Sequence, residues 1–145
     1  RIDYSLIKGG GKVLQVVYVN SSTEVSVTSS TFTDLVSTTI TPASTSNKVL
    51  ALCSIGGLAR HSGDTELQLR LLRDSTAVGE TKGLNDGASG FISTAGCSIN
   101  ELDTPSSTSS LTYKLQLNNR DGNGTVQASV NGADTSITLL EIEGW

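Results

Sequence analysis

Apolar and polar residues alternate along most of this chain with a period of two, the spacing of side chains on the two faces of a β-strand. Thr65–Arg73 (TELQLRLLR) is the clearest case: Leu67, Leu69 and Leu71 share one face, and Glu66, Gln68 and Arg70 take the other. Leu111–Asn118 repeats the pattern with Leu111, Tyr113, Leu115 and Leu117 turned inward, and Thr23–Thr28 and Thr31–Thr41 alternate as well. Two stretches are apolar on both faces: Lys12–Asn20 (KVLQVVYVN) and Ser136–Glu143 (SITLLEIE). Asn47–Ile55 (NKVLALCSI) is strongly apolar and should end at Gly56-Gly57. Thr76–Glu80, Gly90–Thr94, Cys97–Leu102 and Thr125–Val130 complete the series, and no segment sustains a helical period. Short strands punctuated by Gly, Ser, Asn and Pro predict an all-β fold, an antiparallel β-sandwich of jelly-roll-like form.

The punctuation refines this picture. Gly9-Gly10-Gly11 makes residues 1–11 a flexible N-terminal linker ahead of a single β-sandwich domain, 12–145. Asp121-Gly-Asn-Gly124 and Asn131-Gly132 are hairpin-turn signals, because these residues accept positive φ. One loop is echoed. Thr41-Pro-Ala-Ser-Thr-Ser46 precedes one apolar strand, and Thr104-Pro-Ser-Ser-Thr-Ser109 precedes another. The echo reads either as convergent turn composition or as two quasi-equivalent edges of a Greek-key fold.

Composition supports the pattern and narrows the function. Ser and Thr make up roughly a quarter of the 145 residues, well above average usage. A chain of this length can bury a core without a metal or disulfide. The absence of Met implies a processed product or a piece of a longer chain. The net charge is −4 and the basic residues are scattered, which argues against a nucleic-acid partner. No apolar run reaches the length of a membrane span, so no membrane insertion is expected, and no signal peptide opens the chain. Cys53 and Cys97 could pair in an oxidising compartment, but their strand settings favour buried thiols. With one His and two Cys, no metal site or other cofactor is expected.

The candidate chemistry fails on spacing. Arg60-His61-Ser62-Gly63-Asp64 places Ser, His and Asp in one turn, where they cannot form a catalytic relay. As an exposed loop, Arg60, His61 and Asp64 could hold a sugar or an anion. Asn119, Arg120 and Asp121 open a stretch that mimics half of a calcium loop, but Val130 stands where the closing Glu is needed. That stretch, too, is a candidate receptor-binding loop, with Lys82–Gly90 next in line. Gly9–Lys12 lacks phosphate-loop spacing, and Asn20 and Asn123 head glycosylation sequons that arise readily by chance in such a chain. The carboxylates fall mostly at turns or on outward strand positions rather than as a flanking pair. The chain therefore reads as a non-enzymatic binding or structural domain. Phe91 and Trp145 are the aromatics placed for exposure or an interface.

The first and last strands have apolar residues on both faces, which a lone sandwich does not require. A homotrimer is expected, with Val13, Val17, Leu140, Ile142 and Trp145 at the subunit interface.

Several runs resemble a β-domain of tail-fibre-like and other virion structural proteins of tailed bacteriophages, common in marine phages. They are Gly11-Lys-Val-Leu-Gln-Val-Val17, Thr41-Pro-Ala-Ser-Thr-Ser-Asn-Lys-Val-Leu50, Leu69–Val78, Asp103–Lys114 and Ser136–Ile142. The resemblance implies a virion protein, usually trimeric, with a jelly-roll-like sandwich. It makes the expected function that of a distal tail-fibre module for host-surface binding. Its partners would be other virion proteins and a host cell-surface glycan or protein. A capsid decoration or cement protein is the alternative, and a glycan-cleaving enzyme a third.

Overall fold

The computed structural model describes residues 11–61, 65–84 and 93–144. Ten strands follow one another: β1 (Val13–Ser21), β2 (Val25–Val27), β3 (Thr33–Ile40), β4 (Lys48–His61), β5 (Leu67–Arg73), β6 (Thr76–Leu84), β7 (Ser93–Asp103), β8 (Leu111–Asn119), β9 (Thr125–Ala128) and β10 (Thr135–Ile142). Every pairing is antiparallel. One sheet runs β3-β8-β5-β6. In the other, β10 and β9 lie in line along one side of β4, pairing with Lys48–Ile55 and Ala59–His61. β1 and β2 lie in line along β10 and β9, and β7 takes the far side of β4. Counted this way, each layer is four strands wide, in the strand order of a jelly roll. The expected antiparallel, jelly-roll-like sandwich is the fold.

The alternation sets the core. Val49, Ala51, Cys53 and Ile55 of β4 and Ile137 and Leu139 of β10 face Leu69 and Leu71 of β5 and Tyr113, Leu115 and Leu117 of β8, all buried. Burial pushes the Cys53 thiol up to about 12, so it stays protonated and packs as an apolar group. Cys53 and Cys97 form no disulfide. Cys53 lies opposite Ile99 and Cys97 opposite Ile55, a diagonal placement. Such pairs have Cβ atoms about 7 Å apart, beyond the reach of an S–S bond.

The structure corrects several boundaries. β4 does not stop at Gly56-Gly57 but continues to His61. Gly57 takes φ +56, and a bulge there shifts the β4–β7 register between Ile55 and Leu58. A Cβ on Gly57 would stand 2.7 Å from the Val130 backbone, so the strand bends only because the side chain is missing. Gly90–Thr94 and Cys97–Leu102 were expected as separate strands; Ser93–Asp103 is one strand, and Gly90–Ile92 lie outside the described residues. Asn131-Gly132 is not a hairpin. It lies in a short 3-10 turn, Val130–Gly132, after which the chain continues in the same direction along β4. Asp121–Gly124 turns tightly, with Gly122 and Gly124 at positive φ, but it joins β8 to β9 in opposite sheets and pairs no hairpin. Residues 1–10 of the expected linker lie outside the described residues.

The echoed loops are neighbours. Ile40 pairs with Leu111 in one sheet and Val49 with Asp103 in the other. Residues 41–47 and 104–110 therefore run side by side in opposite directions over one end of the sandwich. They share a turn: Ser44 Oγ accepts from the Ser46 N–H at 3.3 Å, and Ser107 Oγ from the Ser109 N–H at 3.0 Å. Both echoed segments are thus crossovers between the two sheets, closed by the same Ser turn.

Candidate functional site

Two surfaces stand out, the loop end opposite the echoed crossovers and the open face of the β1-β10-β4-β7 sheet. At the loop end, hydrogen bonds gather three connections. The Asn119 N–H donates to Ser29 O (3.1 Å) and Asn118 Nδ2 to Ser30 O (3.0 Å), which ties the β2–β3 loop to the end of β8. Thr65 Oγ1 donates to Asn123 O (3.0 Å) and the Arg120 N–H to Glu66 O (2.9 Å), which ties the β4–β5 loop to the β8–β9 turn. The two candidate receptor loops, far apart in sequence, are thus adjacent.

Their residues divide sharply. Arg120 and Asp121 are exposed as expected. Arg120 Nη1 bonds both Glu66 carboxylate oxygens at 2.7 Å, and that contact raises its guanidinium above the ordinary value. Asn119 was expected in an exposed loop but is fully buried at the end of β8. Its Nδ2 donates to Asn123 O (2.8 Å) and Gly124 O (3.2 Å), closing the turn from below. Arg60 was also expected on an exposed tip and is only 3 % exposed. Because β4 runs past its glycine bulge, Arg60 falls on the inner side opposite the buried Val126, with Nη1 directed at Thr65 O (3.5 Å). His61, half-buried, bonds Gln127 through Nε2, and Gln127 Nε2 continues to Glu24 Oε1 (2.6 Å) and Ser26 Oγ (2.9 Å). Ser62–Asp64 and Lys82–Gly90 beyond Leu84 lie outside the described residues.

The open sheet face is built by register. Residues directly opposite on neighbouring strands share a face. Val16, Leu140, Leu50 and Leu102 form one row across four strands, and Tyr18, Thr138, Leu52 and Asn100 the next. Val16 is 60 %, Tyr18 61 %, Val13 52 %, Leu102 47 %, Leu14 45 % and Leu52 40 % exposed. Of the expected interface residues, Val13, Leu140 and Ile142 lie on this outer side. Val17 does not: it stands opposite Leu139 and packs against the core. A strand apolar on both faces leaves open which face looks outward, and only pairing with β10 decides it. Trp145 lies outside the described residues. Leu50, Leu52 and Leu102 were not anticipated, although the two-sided apolar run NKVLALCSI carried the signal for the first two.

The outer face of the other sheet is polar and self-satisfied. Arg70 stacks 3.7 Å above the Phe32 ring and donates to Gln116 Oε1 at 2.7 Å. Gln116 donates to Asp34 Oδ1 at 2.6 Å, and Lys114 pairs with Asp34 at 2.9 Å. Burial works to raise the Asp34 carboxyl, but these partners outweigh it and hold it below the usual carboxylate range.

Two further networks are structural. Asp103 accepts from Arg73 (2.7 Å) and from the buried Tyr113 hydroxyl (2.6 Å), joining the two sheets. Burial and the adjacent carboxylate raise the Tyr113 hydroxyl far above its ordinary value. Glu141, 1 % exposed, accepts from Gln15 Nε2 (2.6 Å), Asn47 Nδ2 (2.6 Å) and the Ala43 N–H (2.7 Å). Burial works to raise its carboxyl, and the three donors outweigh that and hold it low. Asn47 Oδ1 in turn accepts from the Gly144 N–H at 3.0 Å, and a Cβ on Gly144 would collide with Ser46 O. Among the described residues, no group of three or more His, Cys, Asp and Glu gathers to hold a metal ion.

No family model and no curated protein matches the chain. Among solved structures it is similar to VP2 of infectious bursal disease virus in a subviral particle, with a TM-score of 0.50 and 13 % identity over 90 % of this chain and 33 % of that one. The chain thus spans about a third of that VP2. The VP2 of the Gx strain aligns over 90 % of this chain and 36 % of its own with a TM-score of 0.42 and 13 % identity. A cyclase from Fischerella sp. TAU aligns over 74 % and 54 % with a TM-score of 0.38 and 13 % identity. At 13 % identity the likeness to the subviral-particle VP2 is one of fold.

Proposed function

We propose that the chain is a non-enzymatic structural domain of a virus particle, used as the distal module of a tail fibre whose loop end engages the host surface. The observation that carries this reading is the convergence of the β2–β3, β4–β5 and β8–β9 connections on one end of a rigid sandwich, with Arg120 and Asp121 exposed there. Variable chemistry on loops held by a rigid scaffold is the common plan of recognition surfaces, and jelly rolls serve in both viral capsid and lectin domains. The similarity in fold to a virus particle protein and the runs that resemble phage fibre domains support the virion setting. A structural role is supported by the bonding of the described polar groups. His61 is committed to Gln127, and Asp103 and Glu141 are saturated by donors that hold the fold together.

Competition between the purified chain and intact phage for host cells tests the reading. The chain should block adsorption, and the Arg120→Ala/Asp121→Ala double variant should block it about tenfold less well, the scale of one or two polar contacts, while melting within a few degrees of the parent. Equal blocking by both would move the site off the β8–β9 turn. Gold labelling on the capsid shell instead of the fibre tip would favour a decoration protein. Release of new reducing ends from host polysaccharide would overturn the non-enzymatic reading.

A further inference from the structure

The open face of the β1-β10-β4-β7 sheet has the anatomy of a protein interface. Its centre is apolar: Val16, Leu140, Leu50 and Leu102 in one row, with Tyr18 and Leu52 in the next. A row of small neutral polar residues, Asn20, Ser136, Ser54 and Ser98, borders it toward the loop end. Lys48, opposite Ile142, marks the other margin. An apolar centre with a polar rim and an aromatic anchor is the usual composition of such surfaces.

The exposed fractions of Val13, Leu14, Val16, Tyr18, Leu52 and Leu102 correspond to on the order of 600 Å² of surface, the upper limit of what a monomer ordinarily leaves open. That approaches the roughly 800 Å² each partner contributes to a standard interface. The three central rows carry no ionised side chain, although the whole chain has a net charge of −4. An identical copy therefore meets no like-charge repulsion here, whereas a partner chosen by charge would find nothing to read.

We infer that this face is the contact between copies of the chain, apolar centre against apolar centre. The inference goes beyond the proposed function, which concerns the loop end, and stands on the sheet face alone. Packing of sheet faces about 10 Å apart provides the geometry.

Sedimentation equilibrium of the full chain and of Val16→Glu and Tyr18→Ser tests it. Both positions are more than half exposed, so neither substitution opens the core. The parent should assemble at about 10 µM, and Val16→Glu should weaken assembly about a hundredfold or more, with Tyr18→Ser about tenfold. Asp34→Ala, on the opposite sheet, should leave the mass unchanged. A parent that stays monomeric to about 100 µM overturns the inference, as does a folded Val16→Glu chain with the parent's mass. The two readings fail separately. A monomer that still competes for host cells overturns the interface alone, and an assembly that does not compete overturns the receptor reading alone.

Discussion

Across the outer side of one sheet, Val16, Leu140, Leu50 and Leu102 stand in a row open to solvent. Across the other sheet, Asp34, Gln116, Arg70 and Glu80 occupy the corresponding row. Both rows cross four antiparallel strands and both cover the same core. Three members of the polar row bond one another and their neighbours: Arg70 has Phe32 and Gln116, Gln116 has Asp34, and Asp34 has Lys114. An antiparallel sheet normally wets one face in this way. The apolar row is only partly covered by folding: Val16 and Leu102 remain 60 % and 47 % exposed, and Leu140 and Leu50 are half-buried between them. The contrast teaches that one face bonds its polar groups within the chain while the other leaves apolar side chains exposed.

The largest effect should come from the layer the two faces share. Leu115→Ala removes a fully buried side chain beneath both sheets and should cost about 2–5 kcal/mol in denaturant unfolding. A much smaller loss would mean the faces do not rest on one core.

Next comes the buried end of the apolar sheet. Glu141→Ala strands the donors of Asn47, Gln15 and Ala43 and should cost about 2–4 kcal/mol. Because folding lowers the Glu141 pKa, its stabilisation is present above the ordinary glutamate value of about 4.3 and is lost as pH falls through the lower folded value. Thermal melts from pH 7 to pH 3 should therefore fall more steeply for the parent than for Glu141→Ala.

On the polar face, Arg70→Ala gives up the Phe32 stack and the Gln116 bond, about 1–2 kcal/mol by chemical denaturation. On the apolar face, Val16→Glu should change the stability of the monomer by less than about 0.5 kcal/mol, while the proposed self-association should weaken. That pairing sharpens the comparison most: stability responds on one face and association on the other. A small effect also belongs to Lys114→Ala, whose pair with the 56 % exposed Asp34 side chain should contribute less than about 1 kcal/mol and vanish at high salt.

Much of the fold was legible in the chain. TELQLRLLR and LTYKLQLN declare their inner faces by simple alternation, and both strands lie as read. The errors cluster where a local signal has two meanings. Gly56-Gly57 looks like the end of a strand and is a bulge inside one. Asn131-Gly132 looks like a reversal and is a step in a strand that continues. Arg60 and Asn119 look like loop residues because they are polar and near glycines, yet both are buried. Arg120 and Asp121 were placed correctly, since a turn after a strand exposes its tip wherever the strand goes.

By itself the sequence determined the period of each strand, the turn residues between them and hence the class of the fold, because these depend on neighbours one to four residues away. It also carried the echo of Thr41–Ser46 in Thr104–Ser109. Only the tertiary structure decided which side of a two-sided apolar strand faces outward. Val17 and Val16 are indistinguishable until β10 pairs with β1 and assigns one to the core and the other to water. The register of one strand against another is a long-range choice, and moving it by one residue exchanges every inward side chain for an outward one.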